Sequence, residues 1–270
     1  MESNPSHPLA LTDEEARAYR VDGFFAREAV FRSGELERMR DAAERVAQQA
    51  QAATQNGRPY AIDGNRYVET PDATVQFEHK TESDTIRVIE PFHHYDGVFD
   101  ALLDDPRIVE PMRGVIGTDT VALWTDKLNL KRPREGSLFR WHQDSPYWTH
   151  ACDHVDLLPN VMLAIDDAHA GNGCFRVVRG SHTQGCLPGI QDDTQIGVLF
   201  TDPDYFDESE QVLLEVPAGT LIFFNPHTVH GSQPNPSDEA RRALILTYQP
   251  GGQPMFKEPR VRNAGEARSG

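Results

Sequence analysis

PAGTLIFFNPHTVHGSQPNPSDEARRALILTY, residues 217–248, is the stretch on which the fold reading turns. A Pro-Ala-Gly turn leads into the apolar run LIFF, a polar segment carrying His227 and His230 follows, and Asn-Pro-Ser-Asp leads into ALILTY. Short β-branched and aromatic runs bounded by Gly, Pro, Asn and Asp read as strands and turns. The same grammar continues backwards through VALWTDKLNLK (121–131), SLFRWHQD (137–144), VMLAID (161–166), CFRVV (174–178) and QVLLEV (211–216). So many short strands predict a sandwich or barrel, mainly β in class.

The first part of the chain has another character. Thr12 and Glu15 form a capping box opening LTDEEARAYRVDGF, and Gly23 is its stop. In SGELERMRDAAERVAQQAQAATQ (33–55), Leu36, Met39, Ala43 and Val46 recur at helical spacing, and Asn56-Gly57 ends the run. Residues 57–92 read as irregular, with strand-like pieces such as TIRVIE; one or two short helices are expected in YDGVFDALLDDPRIVEPMRGVIG (95–117). The expected layout is a single domain over 1–270. It has a helical part at about 8–118, a β core at about 119–250 and a mobile Gly/Pro-rich tail at 251–270. Residues 183–210 form a loop-rich insertion of the kind that serves as a lid or binding loop.

Net charge is −16 over 270 residues, which disfavours nucleic acid and anionic membranes as partners. No apolar run approaches the length of a membrane span, and the N-terminus lacks a basic segment followed by an apolar one. Cys152, Cys174 and Cys186 are odd in number and irregular in spacing, so they read as structural thiols in a reduced, cytoplasmic setting.

WHQD (141–144) holds the chemistry. On a strand, His142 and Asp144 project to one face, with Arg140 beside them. They offer two ligands to a divalent ion, and His227 or His230 offers the third. Two histidines and one carboxylate form the facial set of non-haem Fe(II) oxygenases, which leaves three positions open. Arg241 and Arg242 begin a strand, so only one of them faces inward, where it can clamp a carboxylate through two parallel hydrogen bonds. Fe(II), one aspartate, a keto diacid and one arginine sum to zero charge, as a buried site prefers.

With LNLK (128–131), WHQD, GNGCFRVVRGSH (171–182) and the block 217–243 in place, the chain resembles the phytanoyl-CoA dioxygenase family of Fe(II)/2-oxoglutarate oxygenases, which includes ectoine hydroxylases. The resemblance spans roughly 120–250. It implies a double-stranded β-helix, or jelly roll, with N-terminal helices packed on one sheet. It implies His142, Asp144 and His230 as iron ligands and catalytic core, and Arg241, Ser232 and Asn129 as contacts to 2-oxoglutarate, with O2 as the other co-substrate. Trp148 falls where ectoine hydroxylases face substrate; Arg140 and Lys127 are further substrate candidates. Arg179 departs from the family, which has Pro before Gly-Ser-His; Asp144 is retained where related halogenases have a small residue, which favours hydroxylation.

The expected reaction is hydroxylation of an unactivated C–H of a small molecule, releasing succinate and CO2. Desaturation or epimerisation would use the same residues. A cupin-like metal module without redox activity and a zinc hydrolase are the rivals. Residues 57–92 and 183–210 are expected to build the substrate pocket. The acidic balance leans against a polyanion such as a CoA thioester, a lean that a local basic patch of Lys127, Lys131, Arg132, Arg134 and Arg140 would reverse, and the expected substrate is a small molecule carrying a carboxylate. His227 is expected to be structural, and Trp124 core.

Overall fold

The computed structural model describes residues 7–80 and 83–265. Helix α1 (Asp13–Asp22) starts at the Thr12–Glu15 capping box and ends at Gly23, whose φ of 88° suits a residue without Cβ. Helix α2 (Ser33–Ala53) buries Leu36, Met39, Ala42, Ala43, Val46, Ala47 and Ala50; its alanines let the helix lie close against the sheet. Two shorter helices, α3 (Gly97–Leu102) and α4 (Pro106–Ile116), are capped by Asp96 and Asp105, whose carboxylates accept from Val98 and Arg107 N–H.

The strands form two antiparallel sheets. In chain order they are β1 (Phe24–Arg27), β2 (Arg58–Ile62), β3 (Asn65–Glu69), β4 (Thr74–Phe77), β5 (Ile86–Glu90), β6 (Val121–Lys131), β7 (Phe139–His142), β8 (Asn160–Ala164), β9 (Phe175–Val178), β10 (Gln211–Leu214), β11 (Leu221–Phe224), β12 (His230–Ser232), β13 (Arg241–Pro250) and β14 (Asn263–Ala264). The large sheet runs β1-β11-β8-β13-β6-β5-β4-β3-β2, with β14 also on β6; the small sheet runs β10-β9-β12-β7. Alternation along the strands sorts the apolar residues. Phe223 and Leu244 join the helices in the main core, while Ile222, Phe224 and Ala243 meet Phe175 and Val177 between the sheets. This is the jelly roll, with the helices layered on the outer face of the large sheet. Burying Leu36 or Met39 fully is worth about 1.5–3 kcal/mol each.

Three expectations need correction. The part read as helical over 8–118 contains five strands. One of them, β1, pairs with β11. Residues 57–92 are not irregular: β2 to β5 form a meander that widens the large sheet beyond β6. These strands carry Arg, Glu and Asn on half-exposed positions, which hid their periodicity. The tail through residue 265 is packed, not loose: Met255 is buried, Phe256 lies 5.2 Å from the Trp124 ring, and β14 pairs with Ala122 and Val121. Residues 266–270 lie outside the described residues. Among the described residues, no helix is long and apolar enough to cross a membrane.

Candidate active site

The small sheet brings the two histidines together. His142 on β7 and His230 on β12 are direct cross-strand partners, with ring centroids 4.1 Å apart. Gly231 allows the strands this closeness: a Cβ there would sit 2.7 Å from the Phe139 carbonyl oxygen. Strand β7 ends at His142. Asp144 has turned into right-handed helical backbone at the head of a short 3-10 turn, so the expected strand alternation does not place it. Its N–H donates to the Pro226 carbonyl at 3.1 Å, and this turn, rather than a strand, aims the carboxylate at the histidines. One ligand atom from each of His142, Asp144 and His230 lies within 4.8 Å of the others.

The set is prepared for a cation. His142 Nδ1 donates to the Arg140 carbonyl (2.8 Å) and His230 Nδ1 to the Thr228 carbonyl (2.9 Å), which leaves each Nε2 as a free acceptor. Burial, helped by the neighbouring imidazole, pushes His142 down to about 3; burial also lowers His230, so both rings are neutral. Burial alone would raise Asp144, but Lys127 and the two histidines outweigh it and hold the group below the usual aspartate range. Asp144 Oδ2 accepts from Asn160 Nδ2 (3.1 Å), whose own Oδ1 accepts from Thr247 Oγ1 (2.6 Å); Oδ1 faces Lys127 Nζ at 3.4 Å. Two neutral imidazoles and one carboxylate fit a divalent ion of the Fe(II) type.

All nine site residues expected from the sequence line one cavity of about 1120 Å³. Arg241 points into it from β13 while Arg242, next in the chain, points away to Asp166 (2.7 Å) and Glu44 (2.9 Å). Arg241 is buried, bonded to Ser232 Oγ at 3.5 Å and to no carboxylate among the described residues; its Nε has no partner. Burial lowers it to about 10, so it stays charged at neutral pH. Asn129 sits on β6 of the same wall. Trp148 is buried against Trp124 and Leu158 and shows the cavity only part of itself. Arg140 lies at the open side, stacked on Phe200 with its carbon Cζ 4.3 Å from the ring centroid.

His227 is structural as expected: its ring bonds Ser145 Oγ (2.8 Å) and Asp156 Oδ1 (2.7 Å). Arg179 pairs with Asp22 at 3.5 Å, away from the triad, so the missing proline leaves the site intact. The basic patch does not exist: Lys131 is buried, Arg132 pairs with Glu44 and Arg134 with Asp238. Sequence reading missed Asn160. Its signal was a polar residue heading the apolar run VMLA. It also missed Gln143, which is buried and ties the Asp144 turn to the carbonyls of His227 (2.6 Å) and Gly185 (2.9 Å).

Curated relatives share this frame. A probable alpha-ketoglutarate-dependent hypophosphite dioxygenase of Stutzerimonas stutzeri is 30% identical over 187 residues, which are 67% of this chain and 64% of that protein. This chain therefore spans a little under two thirds of that relative's length. The L-proline trans-4-hydroxylase of Streptomyces griseoviridis is 28% identical over 62% of this chain and 68% of its own. Among solved structures, EctD from S. alaskensis with 2-oxoglutarate and 5-hydroxyectoine superposes with a TM-score of 0.68 at 22% identity, covering 92% of this chain and 79% of that one. The phytanoyl-CoA dioxygenase (PhyH) family pattern matches residues 19–243, and the chain belongs to that family.

Proposed function

We propose that the protein is an Fe(II)- and 2-oxoglutarate-dependent dioxygenase that hydroxylates an unactivated C–H bond of a small organic molecule. One observation carries this beyond metal binding. Arg241 is a buried guanidinium without a carboxylate among the described residues, in the cavity that also holds His142, Asp144 and His230. Leaving such a charge buried is costly unless an anion arrives to meet it. A zinc hydrolase or a passive metal module needs no such clamp.

His142, Asp144 and His230 would hold the iron, through the two Nε2 atoms and a carboxylate oxygen. Iron and 2-oxoglutarate when bound supply the oxidising power: O2 is consumed, the keto acid becomes succinate and CO2, and one C–H becomes C–OH. Arg241 grips the distal carboxylate of the co-substrate, with Ser232 and Asn129 beside it. Asn160 fixes the Asp144 carboxylate so that its orientation is set before any ion binds. Lys127 balances Asp144 from the other oxygen, held in place against the Tyr147 and Trp148 rings (5.7 and 5.5 Å). Leu199, Phe200 and Phe139 line the cavity with apolar surface that would shield the reacting carbon from water. A cytoplasmic location suits the free thiols of Cys152, Cys174 and Cys186.

The test is succinate formation from 2-oxoglutarate by Fe(II)-loaded protein in air. Asp144→Ala should abolish it while leaving the fold intact by circular dichroism. Undiminished succinate from that variant, or turnover with zinc and no oxygen, would refute the assignment.

A further inference from the structure

The meander that the sequence did not announce builds one wall of the cavity. Its pairing places five side chains in a single cross-strand row: Tyr60 opposite Tyr67, Tyr67 opposite Gln76, Gln76 opposite Val88, and Val88 opposite Asn129. All five line the cavity. The row begins beside the co-substrate contact Asn129 and ends at the sheet's outer edge. Four interstrand spacings make it roughly 19 Å long. At the outer end Tyr60 and Tyr67 stack on each other, with centroids 5.2 Å apart and planes 11° from parallel.

A roof faces this row. Ile196, Leu199 and Phe200 of the insertion line the same cavity. The roof is tied at both ends. The Asp63 carboxylate, on the β2–β3 turn, accepts from the N–H groups of Gln195 (3.0 Å) and Ile196 (2.8 Å), and Thr201 N–H donates to the carbonyl of Trp141 (3.0 Å), next to His142. The space between is already at the upper end of ligand pockets, which run about 300–1000 Å³. A small keto diacid fills only a fraction of it.

The acids on the wall and the lysine beside them are held by threonine hydroxyls. Glu69 accepts from Thr74 Oγ1 (2.9 Å), Glu90 from Thr125 Oγ1 (2.9 Å), and Lys257 donates to Thr74 (2.8 Å). Nearest the metal ligands, Asp144 is met by Lys127, and Arg140 at the open side stacks on Phe200 with Asp192 at 3.9 Å. Along the row itself lies an aromatic and apolar track dotted with neutral groups that both donate and accept hydrogen bonds.

Resting on the oxygenase reading above, we infer that the substrate is an elongated, ring-bearing, hydroxylated molecule. Its unreacting part lies along the Tyr60–Tyr67–Gln76–Val88 row beneath the Ile196–Phe200 roof. It is longer than a compact zwitterion of amino-acid size, which would leave the row and the roof unfilled.

The test uses the full chain loaded with Mn(II) in place of iron. Calorimetry follows 2-oxoglutarate, and equilibrium dialysis follows four probes: the flavanone naringenin, the hydroxyanthraquinone alizarin, L-proline and ectoine. The ring-bearing probes should be retained and the two zwitterions not. Tyr67→Ala should weaken ring-probe binding roughly tenfold, as loss of one aromatic contact implies. Tyr67→Phe should not, and 2-oxoglutarate affinity should be the same in all three proteins, which guards against misfolding. The inference is overturned if protein that binds 2-oxoglutarate retains neither ring-bearing probe, if their binding ignores Tyr67→Ala, or if L-proline or ectoine binds more tightly. Wild-type protein that retains the ring-bearing probes but not 2-oxoglutarate would overturn the oxygenase reading and leave the platform standing.

Discussion

Asp144 can serve a metal only in the orientation its neighbours impose, and Asn160 is the neighbour that reaches it with a neutral donor. Asn160→Ala should lower metal affinity about 10- to 100-fold without unfolding the protein. Competition with a chelator measures this, and unchanged affinity would remove Asn160 from the site. Arg241→Lys keeps the charge but loses the planar fork. We expect 2-oxoglutarate to bind roughly tenfold more weakly or worse, with metal affinity unchanged, by calorimetry. Much of this scale was legible. The alternation of a strand required Arg241 and Arg242 to part company, and they do. Asp144 converges with His142 for a different reason from the one expected, because a 3-10 turn replaced the strand. Local hydrogen bonding to the Pro226 carbonyl decides that turn, and no pattern in residues 139–144 encodes a partner so distant in the chain.

Helix α2 docks through its apolar face and through one charged knot. Arg40 of the helix and Arg242 of β13 share the Asp166 carboxylate, at 2.9 and 2.7 Å, and Glu44 meets both Arg132 and Arg242. The helix itself was plain from its spacing of Leu36, Met39, Ala43 and Val46. The meander was not. Its strands are short and partly charged, and while one face gives Val68, Val75, Phe77 and Ile89 to the core, the other lines a cavity with Tyr67, Glu69, Gln76 and Glu90, so neither face reads as solvent. The insertion's length singled it out and it does line the cavity, but its fastening could not be foreseen. Asp63 holds it by one carboxylate, from a turn whose φ of 49° at that residue is left-handed. Asp63→Ala should free the roof. Proteolytic cleavage within 190–200 should accelerate, and the substrate KM should rise severalfold while that for 2-oxoglutarate holds. Cleavage at the wild-type rate would show that the roof is fastened elsewhere.

Across the whole molecule, the jelly roll was legible because turn residues punctuate every apolar run after residue 118. The packed C-terminal segment was not, because Gly and Pro read as looseness even where Met255 and Phe256 anchor them. The molecule also carries a buried lysine whose effect is global. Lys131 is 1% exposed, and its Nζ donates to the carbonyls of Ser137 (3.0 Å) and Gln233, two acceptors that a neutral amine can satisfy. Burial, reinforced by Arg241 and Arg87, pushes it down to about 6. Unfolded lysine titrates near 10.4, so from there down to about pH 6 the unfolded chain holds a proton the fold refuses. The stability from this group is complete above pH 10.4 and falls as pH drops through that window. Urea midpoints should therefore rise between pH 6.5 and 9 in the wild type, and rise less in Lys131→Met. Equal slopes would mean that Lys131 is charged in the fold.

The pairing of His142 with His230 turns coordination into a check on strand alignment. A slip of one residue between β7 and β12 would send one imidazole to the opposite face of the sheet. An ion that needs both rings binds only the correctly aligned pair and is lost from every misaligned one. Binding to one arrangement alone favours it by mass action. The small sheet contributes three-residue β12 and four-residue β7 at this spot, little enough ladder to rely on by itself. The proposed metal site would thus also be a fastener, and withholding metal should loosen the register of β7 against β12.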